Sequence, residues 1–333
     1  MNPPRRYVRD RGAAQRAWGC GCALFMVAAA VAAAGYPDKP IRFVVGFPPG
    51  GAGDLIGRFT GQRLAEELGQ PVVIDNRSGA GGIIGADIVA KAPPDGYTLF
   101  LATTGAITIS PSLQPKLPYN SLTDFTPIGM IGNFQNVVVV PAASTFKTLK
   151  ELIAAAQRTP GKINYASTGV GATPHLAGEM LRVMANAQLV HVPYKGNAPA
   201  TTDLLAGRID CMFPTMPSSI PYIKSGKLRA LAVTDDRRSA LLPDVPTVAE
   251  QGWTGYRVVN WFGILGPARM PAAIVESLRA TLVTGLAKPQ ISERLGGQGV
   301  TPETSTPREL ASFIKEEIAR WAQIVKAANI RAE

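Results

Sequence analysis

The chain has 333 residues, with 34 Lys and Arg against 24 Asp and Glu, 46% hydrophobic residues and only 17% charged ones. That supplies apolar material for one large or two medium domains and excludes disordered and fibrous classes. Three cysteines and two histidines, without a C-x-x-C pair or an H-E-x-x-H run, argue against zinc and haem proteins, so neither a metal site nor a cofactor is expected.

The N-terminus reads as an export signal. Arg5, Arg6, Arg9, Arg11 and Arg16 precede a small-apolar run from Ala23 to Ala34 that closes on Ala32-x-Ala34. The run is too short for a membrane span, which needs roughly 20 residues, and has the charged flank and small-residue exit of a cleaved signal peptide. Residues 1–34 are therefore assigned to it, with the exported mature chain starting near Gly35. Arg5-Arg6 leaves both the general secretory and the twin-arginine routes open. Cleavage removes five arginines and Asp10, lowering the net charge from +10 to +6. No Lys/Arg cluster remains that would mark a nucleic-acid partner. It also removes Cys20 and Cys22, so Cys211 stays as a lone thiol inside a strand-like run, Ile209 to Phe213.

From Pro40 onward, strand-like and helix-like segments alternate. Ile41 to Gly46 is a β-rich run; Phe47 to Gly53 then turns into a helical pattern through Leu55, Ile56, Phe59, Leu64 and Leu68, stopped by Gly69. Val72 to Ile74, the turn Asn76 to Gly82, a helix to Lys91 and the strand Tyr97 to Thr103 complete a βαβαβ series, the pattern of a parallel sheet with crossover helices. A second series starts after Asn133 to Val140. It holds a capping box at Thr148 to Glu151, a strand at Ile163 to Ala166 and a helix capped by Thr173-Pro174. Strand Leu189 to Val192, the loop Pro193 to Pro199, the helix Thr201 to Ala206 and strands near Cys211 and Leu228 to Val233 follow. Thr306 to Glu309 is another capping box, and Leu310, Phe313, Ile314, Ile318, Trp321, Ile324 and Val325 form the stripe of a long helix docked on a core. The order predicts an α/β chain of two lobes, with chain crossings near Val137 to Pro141 and near Ala232 to Leu242. The cleft is expected at the C-terminal ends of the parallel strands.

Three Gly-rich strand-to-helix turns stand out: Gly50-Gly51-Ala52-Gly53-Asp54, Gly79-Ala80-Gly81-Gly82 and Ser167-Thr168-Gly169-Val170-Gly171. Glycines let backbone N–H groups approach an anion at a helix N-terminus, where free donors and the helix dipole both favour negative charge. Ile56 stands where a dinucleotide fingerprint needs Gly, and no P-loop sequence occurs. Tyr165-Ala166-Ser167-Thr168-Gly169 lacks the first glycine of a nucleophile elbow, so catalysis is not expected. His175 reads as a pocket or capping residue and His191 as structural. Thr103-Thr104-Gly105 offers two hydroxyls and bare backbone at a strand end, and Tyr194-Lys195-Gly196 places one cation at the presumed cleft.

Tyr36-Pro37-x-Lys39-Pro40-Ile41, Phe47-Pro48-Pro49-Gly50-Gly51 with Asp54, Asn76-Arg77-x-Gly79-Ala80-Gly81-Gly82, Pro94 to Leu99, Tyr194-Lys195-Gly196 and Asp203 to Gly207 together resemble the Bug family, the extracytoplasmic solute receptors of tripartite tricarboxylate transporters. The resemblance spans essentially the whole mature chain. It implies a periplasmic binding protein of the type II topology, each lobe a mainly parallel sheet flanked by helices, capturing a small carboxylated solute in the cleft between lobes. Lobe one is expected over 35–138 and 242–333, and lobe two over 139–241. By the same resemblance, Phe47 to Gly51 with Asp54 and a loop of the second lobe, Ser167, Thr168, Gly169, Gly171, Thr173 and His175, hold the ligand carboxylate through backbone amides and waters. The residue reading adds Thr103, Thr104, Gly105, Tyr194, Lys195 and Gly196. The implied partners are the membrane subunits of a tripartite tricarboxylate transporter, or a membrane sensor kinase if the chain is a sensory receptor. A periplasmic enzyme on the same fold is the third reading, and a monomer is expected.

Overall fold

The computed structural model describes residues 35–330, so the proposed export segment lies outside the described residues. Two sheets organise the chain. The first takes β1 (Ile41–Val45), β2 (Val72–Asn76), β3 (Thr98–Thr103), β4 (Phe125–Gln135), β10 (Val259–Pro267) and β11 (Thr301–Pro302), in the spatial order β11-β4-β10-β3-β1-β2. The second takes β5 (Val137–Pro141), β6 (Ile163–Ser167), β7 (Leu189–Pro193), β8 (Cys211–Met212) and β9 (Leu228–Val233), in the order β7-β6-β8-β5-β9. Helices α1 (Ala52–Leu68), α2 (Ile83–Ala90), α3 (Ser110–Leu113), α4 (Leu149–Arg158), α5 (Thr173–Met184), α6 (Asn197–Leu205), α7 (Met216–Lys224), α8 (Ala272–Leu286), α9 (Pro289–Gly297) and α10 (Pro307–Ala327) flank them.

The period-2 geometry of a strand explains why both sheets are covered on both faces. In β1, Ile41, Phe43 and Val45 pack with Ile56, Phe59 and Leu64 of α1, while Val44 points the other way, toward Ala86 and Val89 of α2. In β5, Val138 and Val140 meet Leu149 and Leu152 of α4, whereas Val137 and Val139 meet Ala200 and Leu204 of α6. Hence the continuous valine run that the sequence shows.

The two-lobed α/β architecture is as expected, but the sheets are mixed rather than mainly parallel. Parallel pairing is confined to β1 with β2 and β3 and to β6 with β7 and β8. The strands at the crossings, β4 and β10 in one sheet and β5 and β9 in the other, pair antiparallel. The cause is topological: a chain that leaves one sheet and later returns enters it from the opposite end.

The first crossing occurs at Asn136, which separates β4 from β5. Its backbone N–H donates to Thr234 Oγ1 at 2.8 Å, its Nδ2 to the Phe213 carbonyl at 2.6 Å, and its Oδ1 accepts from Asn260 Nδ2 at 2.5 Å. One fully buried amide thus ties strands of both sheets together. After β9, Val248, Tyr256 and Val258 pack in the core of the second sheet, and the chain pairs again with the first sheet from Val259.

The C-terminal helix docks on a core, as its stripe predicts, and in fact reaches two. Rather than docking on one sheet, α10 lays Leu310 and Ile314 into the first lobe and Trp321 and Val325 into the second. At 21 residues it is about 32 Å long, enough to span both. Its capping box at Thr306 and Glu309 is formed, as is the one at Thr148 and Glu151. The cap expected from Thr173 is not: Ala172 is the N-cap residue, and Thr173 and Pro174 are already helical.

Candidate functional site

The parallel strands of each sheet end in the loops that the sequence reading singled out. After β1, residues 46–51 lead into α1, with Gly50 at φ +85° and Pro48, Pro49, Gly50 and Gly51 exposed. Asp54, 3% exposed, organises this loop: its carboxylate accepts the Gly50 N–H at 2.9 Å, Asn76 Nδ2 at 2.9 Å and Arg58 Nε at 3.0 Å. Asn76 Nδ2 also reaches the Phe47 carbonyl at 3.0 Å. Burial alone would raise the Asp54 carboxyl, but these donors outweigh it and hold it below the usual carboxylate range. Asp54 is therefore a brace for the loop. The amides of Gly51, Ala52, Gly53 and Asp54, the first donors of the helix, have no partner among the described residues.

The loops after β2 and β3 lie beside the first. The Gly46 and Gly82 backbones are in contact, so a Cβ on Gly46 would stand 2.7 Å from Gly82 Cα. After β3 the chain forms a π-helical turn, Thr104–Ile109. Thr104 Oγ1 accepts the Trp261 N–H at 3.0 Å, and Gly105 O accepts Ser110 Oγ at 2.8 Å, so both are engaged in bracing β10 and the turn. Thr103 Oγ1 is the group of this trio left buried without a partner.

In the second lobe the loop after β6 is tightly specified. Gly169 at φ +134° and Gly171 at φ +77° occupy backbone conformations that side chains disfavour. Ser167 Oγ bonds both the N–H and the carbonyl of Gly169, at 3.2 and 3.1 Å, and lies 2.6 Å from His191 Nε2. The Gly171 N–H donates to His175 Nδ1 at 3.1 Å. The amides of Val170 and Thr173 make no hydrogen bond among the described residues. Beside this loop, Tyr194 N–H donates to Ser167 O at 3.1 Å and its hydroxyl to Asp203 at 2.8 Å. Gly196, at φ +107°, turns the chain into α6, which starts at Asn197 and so shortens the loop expected to run to Pro199. Lys195 is exposed and forms no ion pair among the described residues.

The structure thus gathers Phe47, Pro48, Pro49, Gly50, Gly51, Asp54, Thr103, Thr104 and Gly105 at one sheet end and Ser167, Thr168, Gly169, Gly171, Thr173, His175, Tyr194, Lys195 and Gly196 at the other. The lobes meet where a Cβ on Gly171 would come within 2.7 Å of Leu113 Cδ1 on α3. Sequence reasoning missed the roles of two supports, Arg58 and Asn76, which hold Asp54 across the fold. His191, read as structural, holds Ser167.

The buried histidines give the site an acid sensitivity of defined sign. Burial, followed by Arg182 for His175 and by the neighbouring imidazole for His191, pushes each down to about 4. An unfolded histidine takes up its proton near pH 6.5, so these two stabilise the fold fully above that pH and lose the contribution as pH falls toward 4. Thermal melting of the parent protein is expected to fall off between pH 6.5 and 4 more steeply than that of the His175→Phe/His191→Phe double variant. Parallel curves would contradict the neutral pair.

Comparison with known proteins places this geometry. Residues 56–330 match the family model for the tripartite tricarboxylate transporter family receptor. Among solved structures, Rpa4515 of Rhodopseudomonas palustris with adipate superposes with a TM-score of 0.84 at 35% identity, covering 89% of this chain and 99% of that one. The periplasmic binding protein BugD gives 0.82 at 35% identity over 90% and 100%. MatC of Rhodopseudomonas palustris with bound malate gives 0.80 at 31% identity over 87% and 100%.

Proposed function

This chain belongs to the tripartite tricarboxylate transporter receptor family, and we propose that it is a periplasmic receptor that captures a small carboxylate between its two lobes for the membrane subunits of such a transporter. The observation that carries the reading is the pairing of two braced helix N-termini, α1 and α5, one at the sheet end of each lobe, with unpartnered amides in both loops. A carboxylate offers those donors acceptors of the right charge. Adipate and malate in the two solved relatives belong to the same class.

On this reading lobe one comprises residues 35–135 and 259–330, with the end of α10 reaching across to the second core, lobe two residues 137–258, and Asn136 the pivot. The ligand is held by the amides of Gly51 to Asp54 and of Val170 and Thr173. Thr103 Oγ1 is free to serve either the carboxylate or a bridging water, and Lys195 adds attraction at longer range. Charge-assisted hydrogen bonds of about 1.5 to 3 kcal/mol each suffice for a micromolar complex at about −8 kcal/mol once association costs are met, without any arginine in the site.

A thermal-shift screen of dicarboxylates including adipate and malate, amino acids and aromatic acids tests the assignment. Protein purified from the periplasm, beginning near Gly35 if residues 1–34 are an export signal, is expected to be stabilised by a few of these acids and by no neutral solute of similar size. A panel in which no acid raises the melting temperature would overturn it.

A further inference from the structure

The chain carries only two histidines, and the fold stacks them on each other. His175, in the first turn of α5, and His191, on β7, have ring centroids 3.9 Å apart and planes 15° from parallel; Tyr165 also stacks on His191, at 5.0 Å. Each ring spends one nitrogen on the same loop. His191 Nε2 holds Ser167 Oγ at 2.6 Å where the loop begins, and His175 Nδ1 accepts the Gly171 N–H at 3.1 Å where it ends. Because Nδ1 of His175 acts as an acceptor, the neutral ring carries its proton on Nε2, and Nδ1 has no donor to offer a carboxylate.

We propose that His175 and His191 act together as positioning residues for the solute site, a stacked pair that pins both ends of the 167–171 turn and thereby selects Val170 and Thr173 as the amides that this lobe presents. The proposal rests on the reading of this loop as half of the solute site. Two features favour it over simple core packing. One nitrogen of each ring goes to the same loop, although His191 lies on β7 and His175 on α5. That loop also holds two glycines at positive φ, a backbone that glycine leaves free to move and that side chains outside the loop must therefore fix in one conformer. Glu179 does not compete for the rings, since its carboxylate is already held by the Tyr165 hydroxyl at 2.8 Å and by Arg182 at 2.8 Å.

Paired variants separate stacking from hydrogen bonding. His175→Phe keeps a ring for the stack and loses the acceptor; His175→Asn loses the ring and places an amide oxygen near the Nδ1 position. His191→Phe and His191→Gln form the equivalent pair for Ser167. Amide hydrogen exchange of Gly169 and Gly171 in the ligand-free protein, melting temperature and calorimetric titration with adipate are measured on each. The phenylalanine variants are expected to melt close to the parent yet to exchange these amides about tenfold faster or more and to lose about tenfold in affinity, the loss of roughly one buried hydrogen bond. The Asn and Gln variants should melt lower while restoring slow exchange and affinity to within a few-fold. If exchange and affinity instead follow the melting temperature, the pair is packing alone and the proposal fails. Should adipate not bind the parent protein, the exchange order in the ligand-free loop still decides the positioning role, and the fault lies with the choice of solute.

Discussion

Gly171→Val is expected to reduce solute affinity by about tenfold or more while the protein remains folded. Gly171 sits at φ +77°, and an added Cβ would come within 2.7 Å of Leu113 Cδ1 on the opposite lobe. The left-handed conformation costs a side-chain residue about 1 to 2 kcal/mol, so the loop would relax out of it and carry the Gly171 N–H away from His175. The branches would also wedge Leu113, opposing closure. Gly50→Val shares only the first of these costs: φ is +85°, but nothing lies within 4 Å of its Cβ position. Its effect should be the smaller of the two. Lys195→Ala should cost less still and act mainly on the association rate, because an exposed ammonium steers an anion without clamping it. Calorimetry and stopped-flow kinetics with the tightest acid of the panel, with circular dichroism as the control for folding, check the order. Were Lys195→Ala to abolish binding while both glycine variants bound normally, a side-chain salt bridge would have to replace the backbone-amide account.

Closure itself depends on how the lobes are joined. Asn136 ties Phe213 to Asn260 through one side chain, Thr234 hydrogen bonds the Asn136 and Val258 carbonyls, and α10 straps both cores from Leu310 to Val325. A buried polar network with all its groups satisfied holds this junction rigid. A ligand that bridges the lobes is bound better by the closed arrangement and shifts the population toward it.

What could be read from sequence follows the range of the interactions. Short-range determinants were legible: the two capping boxes, the βα turns with glycine at positive φ, and the α10 stripe that Leu310, Ile314, Trp321 and Val325 bury. The antiparallel pairing of β4 with β10 was not, since Phe125 meets Pro267 and Gln135 meets Val259 across more than a hundred residues. Nor was the core that Val248, Tyr256 and Val258 join, because they are apolar residues that could serve either one. At the site, the glycines and hydroxyls were visible but their roles were not. Thr104 and Thr103 are neighbours in sequence, yet one hydroxyl braces β10 and the other is unpartnered. Asp54 reads in sequence as part of the ligand loop, and only its three donors reveal that its carboxylate braces that loop.

The central claim is that two helix N-termini recognise the negative charge of a carboxylate, and the largest effect expected is the loss of binding when that charge is removed. An amide of the same solute keeps its length and apolar body but gives up the charge-assisted hydrogen bonds and offers N–H donors to loops that already present N–H groups. It should therefore lose most of its affinity and most of the closure. Trp261, buried two residues past the return crossing with its backbone bonded to Thr104, supplies an intrinsic fluorescence readout of the rearrangement. The decisive measurement is calorimetry with small-angle scattering on the tightest-binding acid and its neutral amide. The account predicts that the acid binds and compacts the protein while the amide does neither at the same concentration; equal affinity and equal compaction for both would show that these loops do not recognise the carboxylate.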